Sequence, residues 1–198
     1  MAYSKFTLEK VQKDFQLGFQ EDLSLFVDTP IKKISGFLQQ TLQENISLAT
    51  AIDTEKVRSE LIVAPILVEL RKISHKNISF FSGIKFNVDS SKELDGFCDF
   101  LISRSKNQLS LQTPIVSVVE AKNDNIKSGY GQCISMMIAS RIFNEREKNT
   151  IETMHGVVTT GTVWKFLKLI DNVVYVDHDE YHINQVEKIM GILVSVCE

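Results

Sequence analysis

Residues 114–124 read PIVSVVEAKND. Ile115, Val116, Val118 and Val119 are the β-branched apolar residues of a buried strand, and the run ends in Glu120, Ala121 and Lys122. Side chains two apart on a strand point to the same face, about 6.6 Å apart along it. Glu120 and Lys122 therefore share one microenvironment while Ala121 faces the other way. Taken alone, this is an acid and a base paired at the rim of a sheet, so the surrounding sequence has to say whether the pair does more.

The nearest informative neighbour is Asp99, set in LDGFCDFLI (94–102) between Cys98 and Phe100. A short acid inside an apolar run is costly to bury unpaired, and calls for a cation, a metal or backbone donors. The distance from Asp99 to Glu120 suits one strand, a hairpin and the return strand, which brings the two carboxylates side by side. Glu60 adds a third. On a helix through EKVRSELIVAPILVELRK (55–72), Val57, Val63, Ala64 and Leu67 lie within about 60° of Glu60 at 100° per residue. Glu69 falls on the opposite side and Glu55 about 140° away. Glu60 is thus the acid on the apolar face, either converging on the strand carboxylates or snorkelling to water and a lysine.

Three carboxylates around one lysine repel one another unless something positive lies among them. A hard divalent cation, Mg²⁺ or Mn²⁺, takes oxygen ligands, keeps some of its waters and can lower the pKa of an attacking water. Lys122 would orient that water and offset charge in the transition state.

The pattern along the chain frames these residues. Residues 4–50 read as helical, in TLEKVQKDF and in PIKKISGFLQQTLQENISLA, where Pro30 suits a first turn and Ile31, Ile34, Leu38 and Leu42 recur at helical spacing. Thr54 is a cap for the next helix, and Pro65 predicts a kink within it. From Ile78 the period changes to two, giving three consecutive, largely antiparallel strands in NISFFSGIKFNVD, GFCDFLIS and QLSLQTPIVSVVEAK. A helix follows in YGQCISMMIASRIFNE, with Ile134, Met137, Ile138 and Ile142 on one face. Three further strands come next, in MHGVVTTG, VWKFLKLI and VVYVD, with a turn at Asp171 and Asn172, and a last helix spans about 180–196. This order predicts a mixed α/β fold. It has one compact domain, with 1–53 a helical extension packed on a core at 54–198.

Composition narrows the function classes. The 198 residues carry a net charge of -3, which leaves no strong basic footprint for nucleic acid. The segment 122–168 nevertheless holds 7 basic and 4 acidic residues, against 15 and 21 elsewhere, which permits a locally positive groove. No apolar run approaches the roughly 20 residues of a membrane span, and the N-terminal residues lack a signal-peptide pattern, so a cytoplasmic protein without a membrane partner is expected. Cys98, Cys133 and Cys197 have no C-x-x-C spacing and read as small core residues. P-loop, dinucleotide-binding and serine-hydrolase motifs are missing. DHDEYH (177–182) spaces two histidines four apart, but reads better as a strand end running into an acid-rich helical turn than as a zinc site.

Glu60 on a helix, Gly96 to Asp99 on one strand, Glu120, Ala121 and Lys122 on the next, and Gln132 on the following helix together resemble the restriction-endonuclease-like PD-(D/E)XK phosphodiesterase superfamily. The order of helix, three strands, helix and strand over residues 54–177 is similar to its core: a mixed central sheet flanked by helices. The later GVVTTGTVWKF (156–166) is similar to nuclease domains of type I restriction subunits. Cys98 departs from the proline of the motif. The resemblance implies Asp99 and Glu120 as Mg²⁺ ligands, with Glu60 as an additional metal or water ligand. Lys122 would be the water-orienting base and Gln132 a polar group of the active site, although Gly129 and Gly131 beside it read as a turn. The implied activity is metal-dependent hydrolysis of nucleic acid, DNA ahead of RNA, by a chain that dimerises to cut both strands. The competing reading is a catalytically inactive module that keeps the fold for nucleic-acid or protein binding.

Overall fold

A computed structural model describes residues 3–198 and forms one eight-stranded mixed sheet flanked by helices. The elements run α1 (Leu8–Phe15), β1 (Gly18–Gln20), α2 (Gly36–Ile52), α3 (Glu55–Arg58), a π-helical turn (Ser59–Val63) and α4 (Ala64–Ile73). Next come β2 (Ser79–Lys85), β3 (Phe97–Ser103), β4 (Ile115–Ala121), α5 (Tyr130–Arg146), β5 (Thr153–Thr159), β6 (Val163–Ile170) and β7 (Val173–Val176). The chain ends with β8 (Tyr181–His182) and α6 (Val186–Cys197). Strand order across the sheet is β1-β7-β6-β5-β4-β3-β2, with β8 pairing β6. The β4–β5 and β1–β7 pairs are parallel and the others antiparallel.

The predicted order of β2 to β4, α5 and β5 to β7 is the observed one. Every residue of β4 is buried, because helices cover both faces of the sheet, and this is why its sequence reads as an almost unbroken apolar run. On one face Leu101, Val118, Val158 and Leu167 pack under α5 and the N-terminal residues Tyr3, Phe6 and Val11. On the other, Phe100, Val119, Val157 and Phe166 pack under α2, α4 and α6. Each such side chain contributes about 1.5–3 kcal/mol by leaving water. The three cysteines are free and buried, as core residues should be. No helix among the described residues is long and apolar enough to cross a membrane.

Within residues 4–50 the expected helices stand at Leu8–Phe15 and Gly36–Ile52, but the stretch between them departs from the helical expectation. Gly18–Gln20 form β1, a sheet edge beside β7. Pro30 lies outside any helix, and Ile31 is 62% exposed. Helix α2 starts six residues later, where the Ser35 hydroxyl accepts from the Leu38 N–H. The segment before it is held in a non-helical path by side chains from elsewhere. Lys188 Nζ donates to the carbonyls of Phe26, Val27 and Thr29 at 2.5–2.9 Å, and the Ser35 N–H donates to buried Glu69 at 2.8 Å. At the other end the last helix begins at Val186, because Tyr181 and His182 are taken up in β8. His178 and His182 are both exposed and not on one helix.

The kink expected at Pro65 takes the form of the π turn. Pro65 has no N–H to give the Leu61 carbonyl, and Asn45 Nδ2 of α2 donates to that carbonyl instead, at 2.9 Å. The wider turn bonds the Ala64 N–H back to the Ser59 carbonyl. It also rotates the residues before it relative to α4, so the apolar face of α4 cannot be extended back to Glu60 at a constant 100° per residue.

Candidate active site

The β3–β4 register, Phe100 opposite Val119, places Asp99 beside Glu120 one step further along. Asp99 Oδ2 accepts the Ala121 N–H at 2.8 Å, which fixes the carboxylate against the end of β4. Glu120 is fully buried; its Oε1 accepts from Lys122 Nζ at 2.5 Å, and its Oε2 has no hydrogen-bond partner. Lys122 Nζ also lies 3.5 Å from Gln132 Oε1 on α5 and 3.7 Å from Glu55 Oε2 at the start of α3. Asp99, Glu120, Lys122 and Gln132 are thus brought together.

Glu60 does not join them. Its side chain is 60% exposed and pairs with Lys56 at 3.7 Å, one helical turn back on the solvent side. The π turn breaks the phase that had put Glu60 on the apolar face, and Glu69, assigned to the opposite side, is buried. The carboxylate that reaches Lys122 from this helix is Glu55, held at the first helical position by the Thr54 cap. A first-turn acid reads in sequence only as a favourable dipole contact. What could have flagged it is that a helix N-terminus lying over a strand's C-terminal end must project its first residues toward that end.

Gly129 and Gly131 have packing roles. A Cβ on Gly129 would come within 2.6 Å of Val158 Cγ1 and 3.1 Å of Lys122 Cγ, so only glycine lets the lysine stem lie flat against this turn. A Cβ on Gly131 would sit 2.2 Å from the Phe6 carbonyl oxygen, which shows how closely the N-terminal backbone crosses α5.

The electrostatics are strained. Burial and then neighbouring Asp99 push Glu120 up to about 8, against the pull of Lys122. Burial likewise raises Asp99, partly offset by its bond from Ala121. Burial opposes the Lys122 ammonium, but Glu120, Glu55 and Asp99 outweigh it and raise its pKa. Three acids thus face one cation, and a buried carboxylate oxygen is left without a partner.

That orphaned oxygen, next to a second carboxylate with only one oxygen engaged, suits a small hard cation. Among the described residues no cluster of three or more His, Cys, Asp and Glu side chains is arranged to hold a metal. Asp99 and Glu120 would offer two protein carboxylates, a number usual for Mg²⁺, which keeps several waters. No protein-family model matches the chain, and no curated protein matches its sequence.

Proposed function

We propose that this chain is a metal-dependent phosphodiesterase of the restriction-endonuclease-like type, hydrolysing nucleic acid, with DNA the first substrate to test. The observation that supports this reading most is buried Glu120, its Oε2 unpartnered, set between Asp99 and Lys122. A site of this kind is costly to keep unless a ligand completes it. Bound Mg²⁺ or Mn²⁺ supplies a Lewis acid for the phosphoryl oxygen and a more acidic water. Asp99 and Glu120 would hold it. Lys122 keeps its proton, orients the attacking water and offsets charge building on the phosphate. Gln132 and Glu55 hold the ammonium in place, and Gly129 leaves room for its stem. Two copies acting on opposite strands would make a double-strand break.

The experiment is incubation of plasmid with the protein and Mg²⁺ or Mn²⁺, beside Glu120→Gln and Lys122→Met. Nicking or linearisation by wild type and its loss in both variants is expected. Cutting that persists in both sinks the reading.

One observation favours the second reading, an inactive nuclease-fold module. Lys122 already closes on Glu120 at 2.5 Å and approaches Gln132, so the lysine has partners without any ligand. Calorimetric titration with Mn²⁺ separates the two: heat of binding lost in Glu120→Gln supports the enzyme, and no heat near neutral pH supports the module.

A further inference from the structure

Strand β2 forms one edge of the sheet, paired among the described residues only with β3. Along it runs a groove of about 600 Å³ between α4, the turn after it and the strand, lined by Arg71, Lys72, Lys76, Phe80, Phe81 and Ile84 among others. No Asp or Glu lines it, whereas each of four other clefts on the molecule carries at least one carboxylate. In a chain of net charge -3 this is a concentrated positive site. Arg71 and Lys76 have no ion-pair partner among the described residues, and Lys72 is 65% exposed, reaching buried Glu69 only at 3.8 Å. Phe80 packs on the core beneath α4, while Phe81, the next residue, points to the other face of this edge strand, belongs to neither core cluster and is only partly buried.

One end of the groove adjoins the strand that carries Asp99. Ile84 pairs with Cys98, the residue before Asp99, so that end of the groove lies one strand spacing, about 4.8 Å, from the strand carrying Asp99. Phe80, paired with Ile102, lies about 13 Å further back along β2. Cations that track a backbone beside a free aromatic ring are how proteins hold single strands, whose unpaired bases can stack. A duplex would offer this edge its phosphates while keeping its bases stacked within the helix, out of reach of Phe81.

We propose that the Arg71–Lys72–Lys76 groove along β2 binds a single-stranded segment of nucleic acid next to the cleavage site, with phosphates on the three cations and a base on Phe81. The placement of that segment rests on the phosphodiesterase reading; the groove itself is tested without it. Fluorescence anisotropy with a labelled oligothymidylate of about 12 nucleotides, in EDTA so that nothing is cut, measures binding alone. The double variant Arg71→Ala/Lys76→Ala should weaken binding about tenfold or more and reduce the slope of log K against log salt by about 1.4. Phe81→Ala should weaken binding about tenfold with the slope unchanged. Circular dichroism and melting of both variants check that they fold. An oligouridylate arm tells RNA from DNA as the preferred strand. Wild-type affinity in the double variant overturns the proposal, and so does displacement of the oligonucleotide by polyglutamate at equal charge, which would assign the groove to an acidic protein. A chain that binds oligonucleotide through this groove yet never cuts plasmid keeps the groove and loses the nuclease. Cutting with no effect of Arg71, Lys76 or Phe81 does the reverse.

Discussion

Two acids at strand ends, Glu120 and Asp177, are equally hidden, with 0% and 1% of their surfaces exposed, and are treated in opposite ways. Asp177 Oδ1 accepts the N–H groups of Leu25 and Asp179 at 2.9 and 3.3 Å, and its Oδ2 accepts the Tyr181 hydroxyl at 3.1 Å. It ties the N-terminal segment to the end of β7 with every oxygen occupied. Glu120 has a second acid beside it, one oxygen on a lysine and the other on nothing. A satisfied buried carboxylate is explained by the fold it stabilises, while an unsatisfied one asks for a partner from outside.

The sharpest way to break the comparison is to delete each acid. Asp177→Ala leaves three donors unpaired and should cost about 3 kcal/mol or more, read as a fall in Tm of about 2–4 °C per kcal/mol. Glu120→Gln should leave Tm unchanged or higher while cutting falls at least about 100-fold. A large loss of stability in the second variant would make Glu120 another Asp177. Metal comes next: at a Mn²⁺ concentration 100 times its Kd, wild type should gain about 2.7 kcal/mol in thermal melts, and Glu120→Gln nothing.

The pH dependence has a definite sign. Below about 4.5 the Glu120 carboxyl is protonated in the folded and the unfolded chain alike and contributes no difference. Between there and about 8 the unfolded chain releases the proton and the folded chain keeps it, so this group subtracts stability as pH rises. The Tm of wild type relative to Glu120→Gln should therefore fall across that window and level off above it; a constant difference would contradict the assignment. Gly129→Ala should displace the lysine stem and slow cutting about tenfold, with a shift in the pH-rate profile that a merely structural change would not give. The smallest effect belongs to Glu60→Ala, within about 0.5 kcal/mol in stability and without change in rate, whereas Glu55→Ala should lower the rate by acting on Lys122.

What the sequence disclosed and what it hid follow from how far each signal reaches. The β2 to β4 meander could be read because alternation and burial are local, and the acid-x-base pair at the end of β4 fixes its own two faces. Glu60 misled because a helical wheel assumes one constant turn, and the Pro65 π turn, stabilised by Asn45 from another helix, breaks it. The non-helical course of residues 21–35 depends on Lys188 and Glu69, which are distant in sequence and carry no signal near Pro30. The same limit concealed β1, three residues whose strand character comes entirely from β7.

That short strand also imposes an order of assembly. Gly18 lies against Val173, so the first strand cannot find its place until almost the whole sheet has been synthesised and laid down. A growing chain must carry residues 18–20 unpaired until β7 emerges. Their docking, which draws the N-terminal backbone across α5 at Gly131, is then among the last events of folding, and pulling on the N-terminus should release this clasp before it disturbs the strands that hold Asp99 and Glu120.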